Sequence, residues 1–170
     1  MFRLIKSFEA TSYASTFQYT DVFSTDFDAY CIKLQEMGAS GNANTVVFTK
    51  FIDSSGNVLG TSNYKYASYF SRAYSSFFDS NSNAQSYYPF AEADDLQCTG
   101  EHWIFNPARN GITNYFGFNA TYFYSDGMFN SQYAGTYQQN DIITGFQLQA
   151  NPGYSTTIKP KLSIFGVRVS

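Results

Sequence analysis

In Ala29-Tyr30-Cys31-Ile32-Lys33-Leu34-Gln35-Glu36, the residues Tyr30, Ile32 and Leu34 alternate with Cys31, Lys33 and Gln35. That is the period of a strand with one buried and one polar face. A helix would need apolar positions at i, i+3, i+4 and i+7, and no window of the chain sustains that spacing.

The same reading extends in both directions. Upstream, Phe2 to Phe8 and Thr16 to Val22 read as short strands around the small polar Ala10-Thr11-Ser12. Downstream, Gly38-Ala39-Ser40-Gly41-Asn42 predicts a turn, Thr45 to Ile52 a strand, and Asp53-Ser54-Ser55-Gly56-Asn57 a second turn, the spacing of a hairpin. Ser62 to Tyr66 continues the sheet. Ser71 to Asn83 is rich in Ser, Asn and Phe without alternation, so a long loop or irregular edge is expected. Glu101 to Asn106 is a strand stopped by Asn106-Pro107, and Asn110-Gly111 favours a tight turn.

Thr113 to Tyr124 is expected to be the longest strand. Its rings at Tyr115, Phe116, Phe118, Tyr122, Phe123 and Tyr124 fall on both faces, which predicts burial on both. Asp126-Gly127, Asn140-Asp141 and Asn151-Pro152-Gly153 then separate strands over Phe129 to Gln138, Ile143 to Ala150 and the terminal segment. Nine or ten strands with turns between them and no helix predict an all-β, antiparallel sandwich or barrel. There is no repeat or linker, so residues 1–170 read as a single domain.

Composition supports the same class. Aromatic residues make up 20% of the chain, with 15 Tyr and 18 Phe, and such side chains favour pleated, half-buried surfaces. This content also argues against a disordered chain. With 10 Lys and Arg and a net charge of −3, the chain lacks the basic stripe that phosphate binding needs, so nucleic acid is not an expected partner. No segment reaches about 18 uninterrupted apolar residues, so no membrane helix is expected, and Met1 to Lys6 lacks the apolar run of a signal peptide. Cys31 and Cys98 lie too far apart for a CxxC motif and read as buried free thiols.

Three further segments carry a resemblance. They are Phe23-Ser24-Thr25-Asp26-Phe27-Asp28-Ala29-Tyr30, Ile142-Ile143-Thr144-Gly145-Phe146, and the terminal Lys159-Pro160-Lys161-Leu162-Ser163-Ile164-Phe165-Gly166-Val167. Together, and with Phe17 and Tyr19 ahead of them, they resemble a jelly-roll module of tailed-bacteriophage virions, found in capsid decoration proteins, head fibres and tail-fibre tips. Phe27 and Phe165 stand where that pattern usually has tyrosine, which keeps the ring and loses the hydroxyl. Residues 54–100 follow no part of the pattern.

The resemblance implies a jelly-roll β-sandwich with a structural rather than catalytic role. It further implies a homotrimer on the capsid surface of a virion, made in the host cytoplasm and bound to the major capsid protein. The strand pattern begins almost at Met1, with no preceding anchor, which favours decoration, or cement, over a fibre. The alternative is a head-fibre or tail-fibre tip that binds a host glycan. Phe165, Val167 and Val169 on the terminal strand, with Tyr115 and Phe116, are the candidate subunit or lattice contacts.

Competing sites are weaker. His102, the only histidine, sits between Glu101 and Trp103 and reads as a surface or strand-end residue without an evident catalytic partner. Glu92, Asp94 and Asp95, and separately Asp26 and Asp28, could offer oxygens to calcium, yet neither set matches a spaced calcium loop. They read as a solvated acidic loop and as turn-shaping carboxylates. Asn119-Ala120-Thr121 fits the glycosylation sequon but lies within a predicted strand and reads as coincidence. Tyr87-Tyr88 and the series Tyr64, Tyr66, Tyr69 and Tyr74 could form a sugar-stacking platform, though core packing and subunit contact account for most of them. A β-sandwich glycosidase would need two paired carboxyl groups, and the chain has four glutamates, Glu9, Glu36, Glu92 and Glu101. No cofactor is expected.

Overall fold

The computed structural model describes residues 1–41, 45–60, 62–72, 75–93, 98–123, 127–151 and 155–168, with the side chains of 72, 75–84 and 123 left aside. Val169, Asp94, Asp95, Tyr74 and Tyr124 lie outside the described residues.

Twelve strands run among the described residues: β1 (Phe2–Glu9), β2 (Thr16–Tyr19), β3 (Ala29–Ser40), β4 (Thr45–Asp53), β5 (Tyr64–Arg72), β6 (Ser75–Gln85), β7 (Tyr88–Ala93), β8 (Cys98–Phe105), β9 (Thr113–Phe123), β10 (Gly127–Tyr137), β11 (Ile143–Ala150) and β12 (Thr157–Val167). They form an eight-stranded sheet, ordered β1-β12-β3-β8-β9-β10-β5-β6, and a four-stranded sheet, ordered β2-β11-β4-β7. Every strand pairing is antiparallel.

Set aside the hairpins β5-β6 and β9-β10, and the remaining strands give β1-β12-β3-β8 facing β2-β11-β4-β7. Numbered one to eight along the chain, these are 1-8-3-6 and 2-7-4-5, the interleaved order of a jelly roll. The fold is therefore an antiparallel jelly-roll sandwich with two inserted hairpins. The insertions pair with each other through β10 and β5 over Tyr137↔Tyr64 to Phe129↔Arg72, and they extend one sheet well past the other.

The core lies between the sheets. From the larger sheet come Tyr30, Ile32, Leu34, Ile104, Tyr115, Leu162 and Ile164; from the smaller come Val47, Phe51, Phe90, Phe146 and Leu148. A small satellite of Phe70, Phe129 and Tyr133 fills the inner face of the extension.

Several local expectations change. Gly38, Ala39 and Ser40 continue β3 instead of turning, because β12 pairs with them at Lys159, Ile158 and Thr157. At 12 residues β3 is the longest strand among the described residues. No hairpin joins β3 to β4, since these strands lie in opposite sheets, and β5 belongs to the sheet that β4 does not. Of the two alternatives for 71–83, a long loop or an irregular edge, the second holds: β6 is the edge strand of the larger sheet, and its pairing with β5 shifts register twice. β9 is buried on one face only: Thr113, Tyr115, Asn119 and Thr121 point inward, while Phe116, Phe118 and Tyr122 remain 40–48% exposed.

Candidate functional site: the outer face of the extended sheet

The signature segments that suggested a virion module meet in space. The Tyr30 hydroxyl donates to the Ser24 carbonyl at 2.9 Å and accepts from the Ser24 amide at 2.6 Å, locking the corner onto the start of β3. The Val22 and Phe23 amides both donate to the Thr144 carbonyl, and the Thr144 hydroxyl donates to the Asp53 carbonyl. Gly145 has no room for a Cβ beside the Tyr19 carbonyl, and Phe27 lies against Gly166. Asp28 accepts from Arg109 at 2.6 Å, tying the 106–112 loop to the corner. These residues are the joinery of the sandwich. They hold its two sheets at one end and leave the surface elsewhere to do the work.

His102 stands on the inner face of β8, not at the surface. It is 2% exposed, its ring stacks on Phe90 at 3.8 Å, and its Nε2 pairs with Asn119 Oδ1 at 3.0 Å. Burial lowers its pKa to about 4. The imidazole is neutral, enclosed and partnered by an amide, which suits packing and not proton transfer to a solvent-borne substrate. Asn119 is equally committed, donating Nδ2 to the Phe90 carbonyl, so the sequon is closed off within the fold. Among the described residues, no three His, Cys, Asp or Glu side chains converge as a metal site would require. Cys31 and Cys98 are free and buried, with the Cys31 thiol pushed up to about 12 by burial and then by the neighbouring Glu101 carboxylate.

The unusual surface is the outer face of the eight-stranded sheet. Cross-strand register places Leu4, Phe165, Cys31, Trp103, Phe116, Ala134 and Ala67 in one row across seven strands. Directly opposed side chains on one face touch, so this row is a continuous apolar band. Trp103 stacks on Phe116 at 6.2 Å and 11°, Phe105 stacks on the same ring at 5.9 Å, and Phe2 meets Trp103 edge-on at 5.6 Å. Phe2 and Leu4 are each more than half exposed. Polar groups are sparse within the band: the Trp103 indole N–H donates to Glu101 at 2.7 Å, and Lys33 lies 3.7 Å from the same carboxylate.

At the far end, β9, β10 and β5 form a groove of about 590 Å³. Phe116 and Phe118 stand on one side and Tyr69 on the other, with Gln132, Ala134 and Ala67 as the floor. The floor is low because Ala134 and Ala67, opposed in register, present only methyl groups.

Of the residues expected as contacts, Phe165 and Val167 lie half-buried on this outer face, and Phe116 stands exposed at its centre. Tyr115 is corrected: it is 3% exposed, stacks on Tyr88 at 4.0 Å and donates to the Lys65 carbonyl, so it belongs to the core and not to a contact surface. In the tyrosine series, Tyr64 and Tyr88 are core, Tyr87 packs on Phe48 at 4.1 Å, and Tyr69 alone among the described members is widely exposed. Sequence reading missed Phe2, Leu4, Trp103 and Phe118 as members of the surface. Trp103 beside the β3 alternation was the available signal, since its parity opposes that of the core residue Ile104.

The chain matches no family model, no curated protein and no solved structure. The surface therefore has to be interpreted from its own chemistry.

Proposed function

We propose that this protein is a non-catalytic structural component of a tailed-phage particle, a capsid decoration protein that works as a trimer through the outer face of its larger sheet. The observation that carries the reading is the apolar band from Leu4 through Phe165 and Trp103 to Phe116. Leu4 and Phe116 are exposed along it, Phe165 and Trp103 half-buried and Cys31 covered by its neighbours, and apolar side chains that share one open face of a folded domain favour contact with another macromolecule. The surrounding charge is low, which suits contact with a neutral lattice. The signature residues at the corner and in the last strand add support, because the resemblance they carry and the jelly-roll order agree.

Threefold positions of an icosahedral shell select a partner of matching cyclic symmetry. The end of the band near β1 and β12, with Phe2, Leu4, Phe165 and Val167, is assigned to contacts between copies and with the major capsid protein. Binding only to the assembled shell stabilises that shell by mass action. Particles lacking the protein are expected to assemble, to release DNA sooner on heating, and to adsorb to host cells normally. A fibre-tip role predicts the opposite pair, and an adsorption defect with unchanged heat release would overturn the decoration reading.

A further inference from the structure

We infer that the groove between Tyr69 and Phe118 on the inserted hairpins is a binding site for a neutral oligosaccharide. This goes beyond the decoration role: the groove lies on β5, β9 and β10 and shares Phe116 with the apolar band, whereas the contacts between copies and with the capsid are assigned to the other end, on β1 and β12.

Four features select the occupant. Tyr69, Gln132 and Phe118 are aligned in register on adjacent strands, so the backbones that carry the two rings lie two strand spacings apart, about 10 Å. That spacing leaves room for one pyranose chair between the two side chains. The axial C–H groups of a pyranose present an apolar face that packs on an aromatic ring. The floor supplies one amide, Gln132, that both donates and accepts; a few such groups fix orientation in an otherwise apolar site. None of the lining residues carries a charge, so an anionic or cationic ligand would find no counter-charge there. A volume of about 590 Å³ open along the sheet has room for a short chain of sugar units.

The groove also has an origin in the fold. It is built wholly from strands inserted into the jelly roll, and the eight-strand frame closes without it. Small residues at 134 and 67 flank large rings at 116, 118 and 69, and this spacing leaves a trough where packing alone would favour filling it.

The test uses the purified full chain on an array of immobilised oligosaccharides that includes neutral hexose chains and sialylated or uronate-bearing ones. The strongest neutral binder is then titrated in solution while the fluorescence of Trp103, the only tryptophan, is followed through its stack on Phe116. Neutral chains are expected to bind in preference to charged ones. Tyr69→Ala and Phe118→Ala should each weaken binding at least tenfold, and Ala134→Phe, which fills the floor, should abolish it. Phe165→Ala at the opposite end should leave sugar binding unchanged. All four positions are exposed or half-buried, so the melting temperature of each variant serves as the folding check. Three outcomes overturn the proposal: no neutral glycan bound by the wild-type chain at millimolar sugar, binding indifferent to Tyr69→Ala and Phe118→Ala, or self-association lost in these variants in place of sugar binding. Loss of sugar binding with particle heat resistance intact would leave the decoration reading standing.

Discussion

Phe27 lays its ring against the backbone of Gly166, and a Cβ added at that glycine would come within 2.7 Å of three ring carbons. The contact joins the first signature segment to the last, and it explains why the final strand has glycine after Phe165. Gly166→Ala is therefore expected to force the ring or the strand aside and cost about 1–3 kcal/mol. Urea denaturation measures it, and pairing the change with Phe27→Leu should recover part of the loss. A Gly166→Ala protein as stable as wild type would refute this packing.

The Tyr30 hydroxyl is both acceptor and donor to the backbone of Ser24. Tyr30→Phe removes the hydroxyl while retaining the ring that packs on Phe23. The Ser24 amide then exchanges its partner for water, because Ser24 is exposed, and a loss of about 0.5–1.5 kcal/mol follows. Thermal unfolding reads it, and the effect should be matched in Asp28-tethered and untethered forms, for example with and without Arg109→Ala.

His102 gives the fold an acid-sensitive component. Its pKa is lowered to about 4 in the folded chain by burial, against about 6.5 when unfolded. Between those values the unfolded chain binds more protons, so stability is complete above about pH 6.5 and declines as pH falls toward 4. The full decline attributable to this group is about 3 kcal/mol. Denaturation midpoints measured from pH 4 to 7 should slope accordingly, and His102→Gln, which keeps an amide-compatible partner for Asn119, should flatten the slope. An unchanged slope would show that other groups control acid stability.

Phe165 and Val167 occupy the outer face of β12 beside Leu4 and Phe2 on β1. If this end is where copies meet, Phe165→Asp and Val167→Asp should lower the mass seen by light scattering from about three times 19.1 kDa to one, with the fold retained. A wild-type chain that stays monomeric both in solution and on the particle would remove the trimer.

Much of the frame was legible because one-sided burial writes an alternation into the sequence: β3, β8 and β11 each carry it. The regions that were not legible have physical reasons. β6 holds Ser, Asn and Phe with no period, because it pairs only with β5 at an edge of the extension, and one partner imposes little pattern. Gly38-Ala39-Ser40 looks like a turn by residue type and is strand by virtue of β12 alongside. β9 has rings on both faces, and periodicity cannot reveal that one face, with Phe116 and Phe118, has nothing laid over it by the smaller sheet. The site was therefore half visible: Phe116 and Phe165 could be named, but the Tyr69 wall and the alanine floor depend on how two distant insertions pair.

The strand order also sets when this chain can fold. Among the described residues β1 pairs only with β12 and β2 only with β11, so both strands wait for segments that follow residue 142. At ribosomal rates of about 5–20 residues per second, β1 stays unpaired for roughly 7–30 s. Phe2, Leu4 and Phe8 are exposed to chaperones and to neighbouring nascent chains throughout that time. High contact order thus gives synthesis rate and chaperone supply direct control over yield, whatever the stability of the finished sandwich.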